Sequence, residues 1–171
     1  MTGRLATLMV TVAVAACAAT APAPSTTARP GLEPAFATVD VLVAAAVTAL
    51  EAKDLDRLRQ LAVTREEFRD LVWPGLDASR PERNLTWEFV WSQHEMRHER
   101  GLRRALDDFG GRRLEVRGIS FQGVTEHGAY RLHRSSALEV AGPDGSPRTV
   151  RLFASVIESE GRLKIYSFIT D

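Results

Sequence analysis

The apolar pattern of this chain changes period once, at Gly110-Gly111, and that change decides what the chain can fold into. Before it, apolar residues recur at helical spacing. Positions 39, 42, 43, 46, 47 and 50, within Val39 to Ala52, mark a helix with one buried stripe. Asp54 is placed to cap a short helix carrying Leu55, Leu58 and Leu61. Thr64-Arg65-Glu66-Glu67 has the capping-box pattern and predicts a helix that runs to Val72 and stops before Pro74. Residues 74–84, rich in Pro, Asp, Arg and Ser, read as loop. A longer helix is predicted over 85–108, with Trp87, Val90, Trp91, His94, His98, Leu102, Ala105 and Leu106 on one side; the glycine pair ends it. From Arg112 the period is two. Strands are predicted at 113–122, 129–140, 148–158 and 162–170, separated by turn signals at Glu126-His127-Gly128, Gly142-Pro143-Asp144-Gly145 and Glu160-Gly161. Such short connections imply an antiparallel meander. The expected fold class is therefore α+β, with N-terminal helices packed on one face of a four-stranded meander.

Upstream of this domain the composition is of a different kind. Arg4 precedes an apolar run from Leu5 to Ala16, long enough for a signal-peptide core and too short to span a bilayer. The run ends in Val14-Ala15-Ala16-Cys17, and Cys17 is the only cysteine of the chain. This arrangement resembles the lipobox of bacterial lipoproteins. The resemblance implies cleavage after Ala16, diacylglycerol on the Cys17 sulfur and an acyl chain on its amine, giving durable anchoring where a single chain binds marginally. Ala18 in place of Asp implies the periplasmic face of the outer membrane in a Gram-negative envelope. Residues 18–35, AATAPAPSTTARPGLEPA, hold few bulky apolar side chains and read as a disordered tether spanning roughly 25 Å as a coil. The expected organisation is thus signal peptide 1–16, lipidated Cys17 and tether 17–35, and one α+β domain 36–171.

That domain of about 135 residues has the size of a single folding unit. With the signal peptide gone, the 22 basic side chains lose only Arg4 and stand against 22 acidic ones. A nearly neutral domain has no electrostatic footprint for nucleic acid. Arg97, Arg100, Arg103 and Arg104 are followed by Asp107 and Asp108 and read as a solvated helix face. Without cysteine beyond position 17, burial alone must stabilise the domain. In element order, residues 38–171 resemble the nuclear-transport-factor-2-like and cystatin-like group, in which a curved sheet wraps around a helix. That group includes isomerases, cyclases, dehydratases and non-catalytic binding domains, so the resemblance implies a fold and no particular activity. Its larger members carry an extra hairpin or strand before the long helix, for which the loop 74–84 leaves little room.

His94-Glu95-Met96-Arg97-His98 matches the HExxH zinc-protease pattern. Two imidazoles one helical turn apart can share a zinc ion, with the intervening glutamate as base on bound water. Gly101 falls where the longer metzincin pattern has glycine. Its third histidine, however, is replaced by Arg104, and no methionine follows Met96 to form the downstream turn. Arg97, Glu99 and Arg100 also give this stretch more charge than a buried catalytic helix carries. A metal reading therefore needs a third ligand from elsewhere, such as His133 or Glu115. The expectation is that His94 and His98 are packed core histidines, with zinc kept as the alternative cofactor.

Alternation on strand 129–140 places Arg131, His133, Ser135, Ala137 and Glu139 on one face, with Leu132, Leu138 and Val140 on the other. If that polar face lines a pocket, His133 and Arg131 are the residues to bind or protonate a ligand. Trp73, Trp87 and Trp91 are expected as core or pocket wall. No serine or cysteine nucleophile motif and no glycine-rich phosphate loop occurs. The sequence therefore leads to a lipid-anchored envelope protein with a non-catalytic domain for a small molecule or an envelope protein partner. The alternative is an enzyme, either an acid–base isomerase or hydrolase around His133, with Arg131 as a further candidate, or a zinc hydrolase using His94, Glu95 and His98.

Overall fold

The computed structural model of the chain describes residues 31–168. The expected signal peptide, Cys17 and the tether up to residue 30 lie outside the described residues. The architecture is α+β: helices first, then five antiparallel strands in a sheet that does not close on itself.

Helix α1, Val39–Glu51, starts at Thr38, whose hydroxyl accepts a hydrogen bond from the Val41 N–H at 3.4 Å. It buries Leu42, Val43, Ala46, Val47, Ala49 and Leu50, the expected stripe and its neighbour. Asp54 caps α2, Leu55–Gln60, by accepting from the Arg57 N–H at 2.8 Å. The predicted capping box is formed at α3, Arg65–Glu67. The helix expected to run on to Val72 does so as a wider π turn, Phe68–Val72, followed by a 3-10 turn, Trp73–Gly75. Widening just ahead of Pro74 avoids the clash that a proline ring makes with a preceding α turn. That segment docks on the hairpin at 127–130: the Tyr130 hydroxyl donates to the Val72 carbonyl at 3.2 Å. A Cβ at Gly75 would lie 2.9 Å from the Tyr130 ring and 3.0 Å from the His127 carbonyl, so only glycine fits. Helix α4, Trp87–Phe109, is capped by Thr86 and ends at Gly110.

The strands are β1 Val116–Glu126, β2 Arg131–Ala141, β3 Pro147–Val150, β4 Ser155–Ser159 and β5 Arg162–Ser167. Sheet order is β1-β2-β4-β5, with β3 also on β2. The meander has the expected course, but its third strand is in two pieces. β3 pairs with the C-terminal part of β2 (Leu138↔Val150), and β4 pairs with its N-terminal part (Arg131↔Glu158). Between them Leu152 and Phe153 are both fully buried in the main core. Consecutive residues of a regular strand point to opposite faces, so two neighbouring apolar side chains enter one core only where the chain leaves the ladder. Ser136 holds the break, donating its N–H to the Ala154 carbonyl at 3.0 Å and its hydroxyl to the Phe153 carbonyl.

The main core joins α1, α2, the C-terminal half of α4 (Leu102, Ala105) and the sheet residues Leu138, Val140, Val156 and Ile165. A second core gathers Leu32, Val63, Phe68, Leu71, Val72, Trp91, Tyr130, Leu132 and Ile157, with Trp73 and Trp87 packed against it. Adjacent Val156 and Ile157 serve different cores, so β4 is covered on both faces.

Lys164, fully buried on β5, sits at the edge of this second core. Its ammonium lies 2.8 and 2.9 Å from the two Glu67 oxygens and 2.9 Å from the Glu33 carbonyl. The Glu67 carboxylate also accepts from the Glu33 and Thr64 N–H groups, each at 2.7 Å. Burial pushes the lysine below its ordinary pKa, and the Glu67 carboxylate opposes that shift. This arrangement corrects the tether boundary expected at residue 35. Leu32 is buried, and Phe36 exchanges backbone hydrogen bonds of 2.9 and 2.8 Å with Leu163. Two apolar anchors, Leu32 and Phe36, are enough to dock a segment whose average composition is that of a linker.

Lys164→Met should lower unfolding stability by about 3–5 kcal/mol in a denaturant titration, because it strands the Glu67 charge in the core. Adding Glu67→Gln should recover a large part of that loss. A double variant as unstable as the single one would show that packing, and not the unpaired charge, dominates.

Candidate functional site

The two groupings singled out in the sequence have different surroundings. On α4, His94 and His98 stack with ring centroids 6.0 Å apart. His94 lies among Phe68 at 5.7 Å, Trp91 at 5.5 Å and Tyr166 at 4.8 Å; His98 meets the edge of Phe168 at 5.4 Å. Burial, then the neighbouring His98 and Arg97, push His94 down to about 4, against a backbone interaction at Tyr166. Burial lowers His98 as well, Arg59 in the same direction and Glu99 against it. The His98 Nδ1 is buried without a hydrogen-bond partner. Glu95, the base of the zinc-protease pattern, is exposed. Among the described residues no three His, Cys, Asp or Glu side chains gather where they could hold a metal ion. His133 is engaged by Glu158, and Glu115 lies exposed ahead of β1.

The other grouping is brought together by the sheet. Arg131 and His133 project from β2 onto one carboxylate, Glu158 of β4. The Arg131 guanidinium donates to Glu158 Oε1 at 2.7 Å, and His133 Nε2 lies 2.8 Å from Oε2. Glu158 is mostly buried, at 18% side-chain exposure, and His133 is close to it at 22%. This pair borders a pocket of about 510 Å³ whose walls include Val39 of α1, Ile119 and Phe121 of β1, and Leu163 of β5. The Phe121 ring lies 5.2 Å from the imidazole. With Nε2 donating to Glu158, Nδ1 is the ring nitrogen left to accept from a ligand, and it makes no hydrogen bond to the described protein residues. The site therefore offers apolar walls and one oriented polar atom.

The expected polar face of β2 ends early. Ser135 sits in the left-handed region at φ 54°. On one side of it Leu132 belongs to the second core; on the other, Leu138 and Val140 belong to the main core. Simple alternation thus fails at Ser135, and Ser135, Ala137 and Glu139 do not line the His133 pocket. Glu158 was missed by the sequence reading. Its signal is positional: only the register of β4 on the N-terminal half of β2 sets it opposite Arg131.

No family model, curated protein or solved structure matches this chain.

The α4 histidines make a pH prediction. The unfolded chain protonates its histidines near pH 6.5, whereas folded His94 resists protonation down to about 4. Stability is therefore full above about pH 6.5 and falls as pH drops toward 4, by up to about 3 kcal/mol from His94. Urea midpoints across that range should show the decline, and His94→Phe should flatten it relative to wild type.

Proposed function

We propose that this protein is anchored to a bacterial envelope membrane through lipidated Cys17 and that its domain is a non-catalytic binding module. Its ligand is a small amphipathic molecule held at His133. The carrying observation is the pocket in which Val39, Ile119, Phe121 and Leu163 face an imidazole fixed by Glu158. Such a site suits a ligand with an apolar body and one donor directed at Nδ1. Binding is preferred over catalysis on chemical grounds. Both Glu158 oxygens accept hydrogen bonds, one from Arg131 and one from His133, so the carboxylate serves to hold these two side chains in place. The pocket thereby supplies a single proton-active group, where acid–base turnover calls for an opposed pair.

The membrane assignment rests on the lipobox resemblance at Cys17. Among the described residues no helix is long and apolar enough to cross a membrane. One observation favours a second reading: the 2.8 Å His133–Glu158 contact is the arrangement that orients a catalytic imidazole, so His133 as general base is the alternative.

Two measurements test this reading. Cys17→Ser should move the protein from the membrane pellet to the soluble fraction or leave it unprocessed; a variant that is processed normally and still pellets contradicts the anchor. Native mass spectrometry of the protein extracted from membranes should show a bound small molecule. That molecule should be lost in Ala37→Trp, which fills the pocket from an exposed rim position. Retention of the same bound mass in that variant places the ligand elsewhere.

A further inference from the structure

The two sides of the sheet are treated differently. At β5 the outer edge is closed. Phe36 pairs with Leu163, the Val63 N–H donates to the Ile165 carbonyl at 2.9 Å, and the Ile165 N–H donates to the Leu61 carbonyl at 2.9 Å. β3 presents a short edge of four residues that starts with Pro147, which blunts it. β1 is different: eleven residues long, it makes no backbone hydrogen bond to any described segment except β2. It carries no proline and no lysine, and its charges, Arg117 and Glu126, stand near its two ends. A bulge between Val116 and Gly118 disturbs only its start; residues 119–126 keep a regular ladder, and proteins blunt an edge of that length unless it is used.

We propose that β1 pairs antiparallel with β1 of a second copy of this chain, about a two-fold axis at Phe121. The residues of the strand are complementary to themselves in that register. From Ile119 onward, exposure alternates along β1: Ser120, Gln122, Val124 and Glu126 are exposed, while Ile119, Phe121, Gly123 and Thr125 are half-buried. The axis sets Val124, 50% exposed, against Gly118 of the second copy, where a Cβ would meet nothing within 4 Å. Gln122 faces Ser120, a polar pair, and the two Phe121 rings meet at the centre. Arg117 of each copy comes opposite Thr125 of the other and Glu126 opposite Val116, so no like charges meet across the seam, whereas a parallel arrangement stacks Arg117 on Arg117. On the domain side, a groove of about 630 Å³ runs between α1 and the start of β1, with Val43, Val47 and Ile119 among its walls. The second copy brings its small residues Gly123 and Thr125 to this groove. The contact is isologous and closes at two copies. It also sets the partner strand beside Ile119 and Phe121, two walls of the His133 pocket. This inference does not depend on what that pocket binds.

The test is a cross-link in membranes containing the full chain. In the proposed register Gly118 and Val124 of different copies are direct cross-strand neighbours, within the Cα separation a disulfide needs. Within one chain the same positions are about 20 Å apart, and so are the like positions of the two copies. Neither site is packed, so substitution there should spare the fold. Gly118→Cys with Val124→Cys should give at least fivefold more disulfide-linked dimer than either single variant. The parent chain, whose one cysteine is Cys17, supplies the baseline. Separately, detergent-solubilised wild type should sediment as a dimer, and Val124→Lys, which places on this edge the lysine it lacks, should sediment as a monomer. A double variant with native circular dichroism and no excess dimer overturns the proposal, as does equal cross-linking in the single variants. Monomeric sedimentation of wild type overturns it as well.

Discussion

The buried ion pair between Lys164 and Glu67 is the interaction on which the rest of the structure depends. It joins three segments far apart in sequence: Glu33 near the start of the domain, the capping box at 64–67, and the last strand. A fully buried ammonium is tolerable only if its charge and protons are met. Here they are, by both carboxylate oxygens and a backbone carbonyl, and the carboxylate is met in turn by two N–H groups. The consequence reaches the pocket. Glu33, once fixed, directs the chain so that Phe36 seals the β5 edge and Val39 opens α1 at the wall of the His133 site.

The second constraint is the break in the third strand. Leu152 and Phe153 gain more by entering the main core together than the ladder loses by the interruption. The break also shifts the pairing on β2 by one residue, from a register in which Leu138 opposes Val150 to one in which Arg131 opposes Glu158. A demand of the core therefore places the carboxylate that fixes His133. Packing and site are two results of one register change.

Much of the fold was legible in the sequence because its signals are local. Thr38, Asp54, Thr64 and Thr86 cap helices where the helical period begins, and the glycine pair at 110–111 stands where it ends. Turn residues divided the strands to within a few positions. What was not legible depends on distant partners. Glu67 was read as a capping-box residue, which it is, but nothing nearby announces that Lys164 also needs it. Leu32 was averaged into a linker by its neighbours. Glu158 carries no motif, and Ser135, an ordinary strand residue by composition, interrupts the alternation that would have extended the polar face. The five-residue zinc pattern was the most conspicuous local signal, and the structure spends its two histidines on aromatic packing. Local pattern reported the helix there; the aromatic partners of its histidines come from distant segments.

The central proposal is that ligand binding belongs to His133, held in one tautomer by Glu158, while the α4 histidines pack in the core. Nitrogen-15 NMR of the histidine rings tests this most directly, since the chain has only four histidines to assign. The account predicts that His133 resonates with its proton on Nε2 and that Glu158→Gln abolishes this tautomer preference. It also predicts that the small molecule released from membrane-extracted protein shifts His133 and leaves His94 and His98 unmoved. Shifts confined to His94 and His98, with His133 silent, would contradict it.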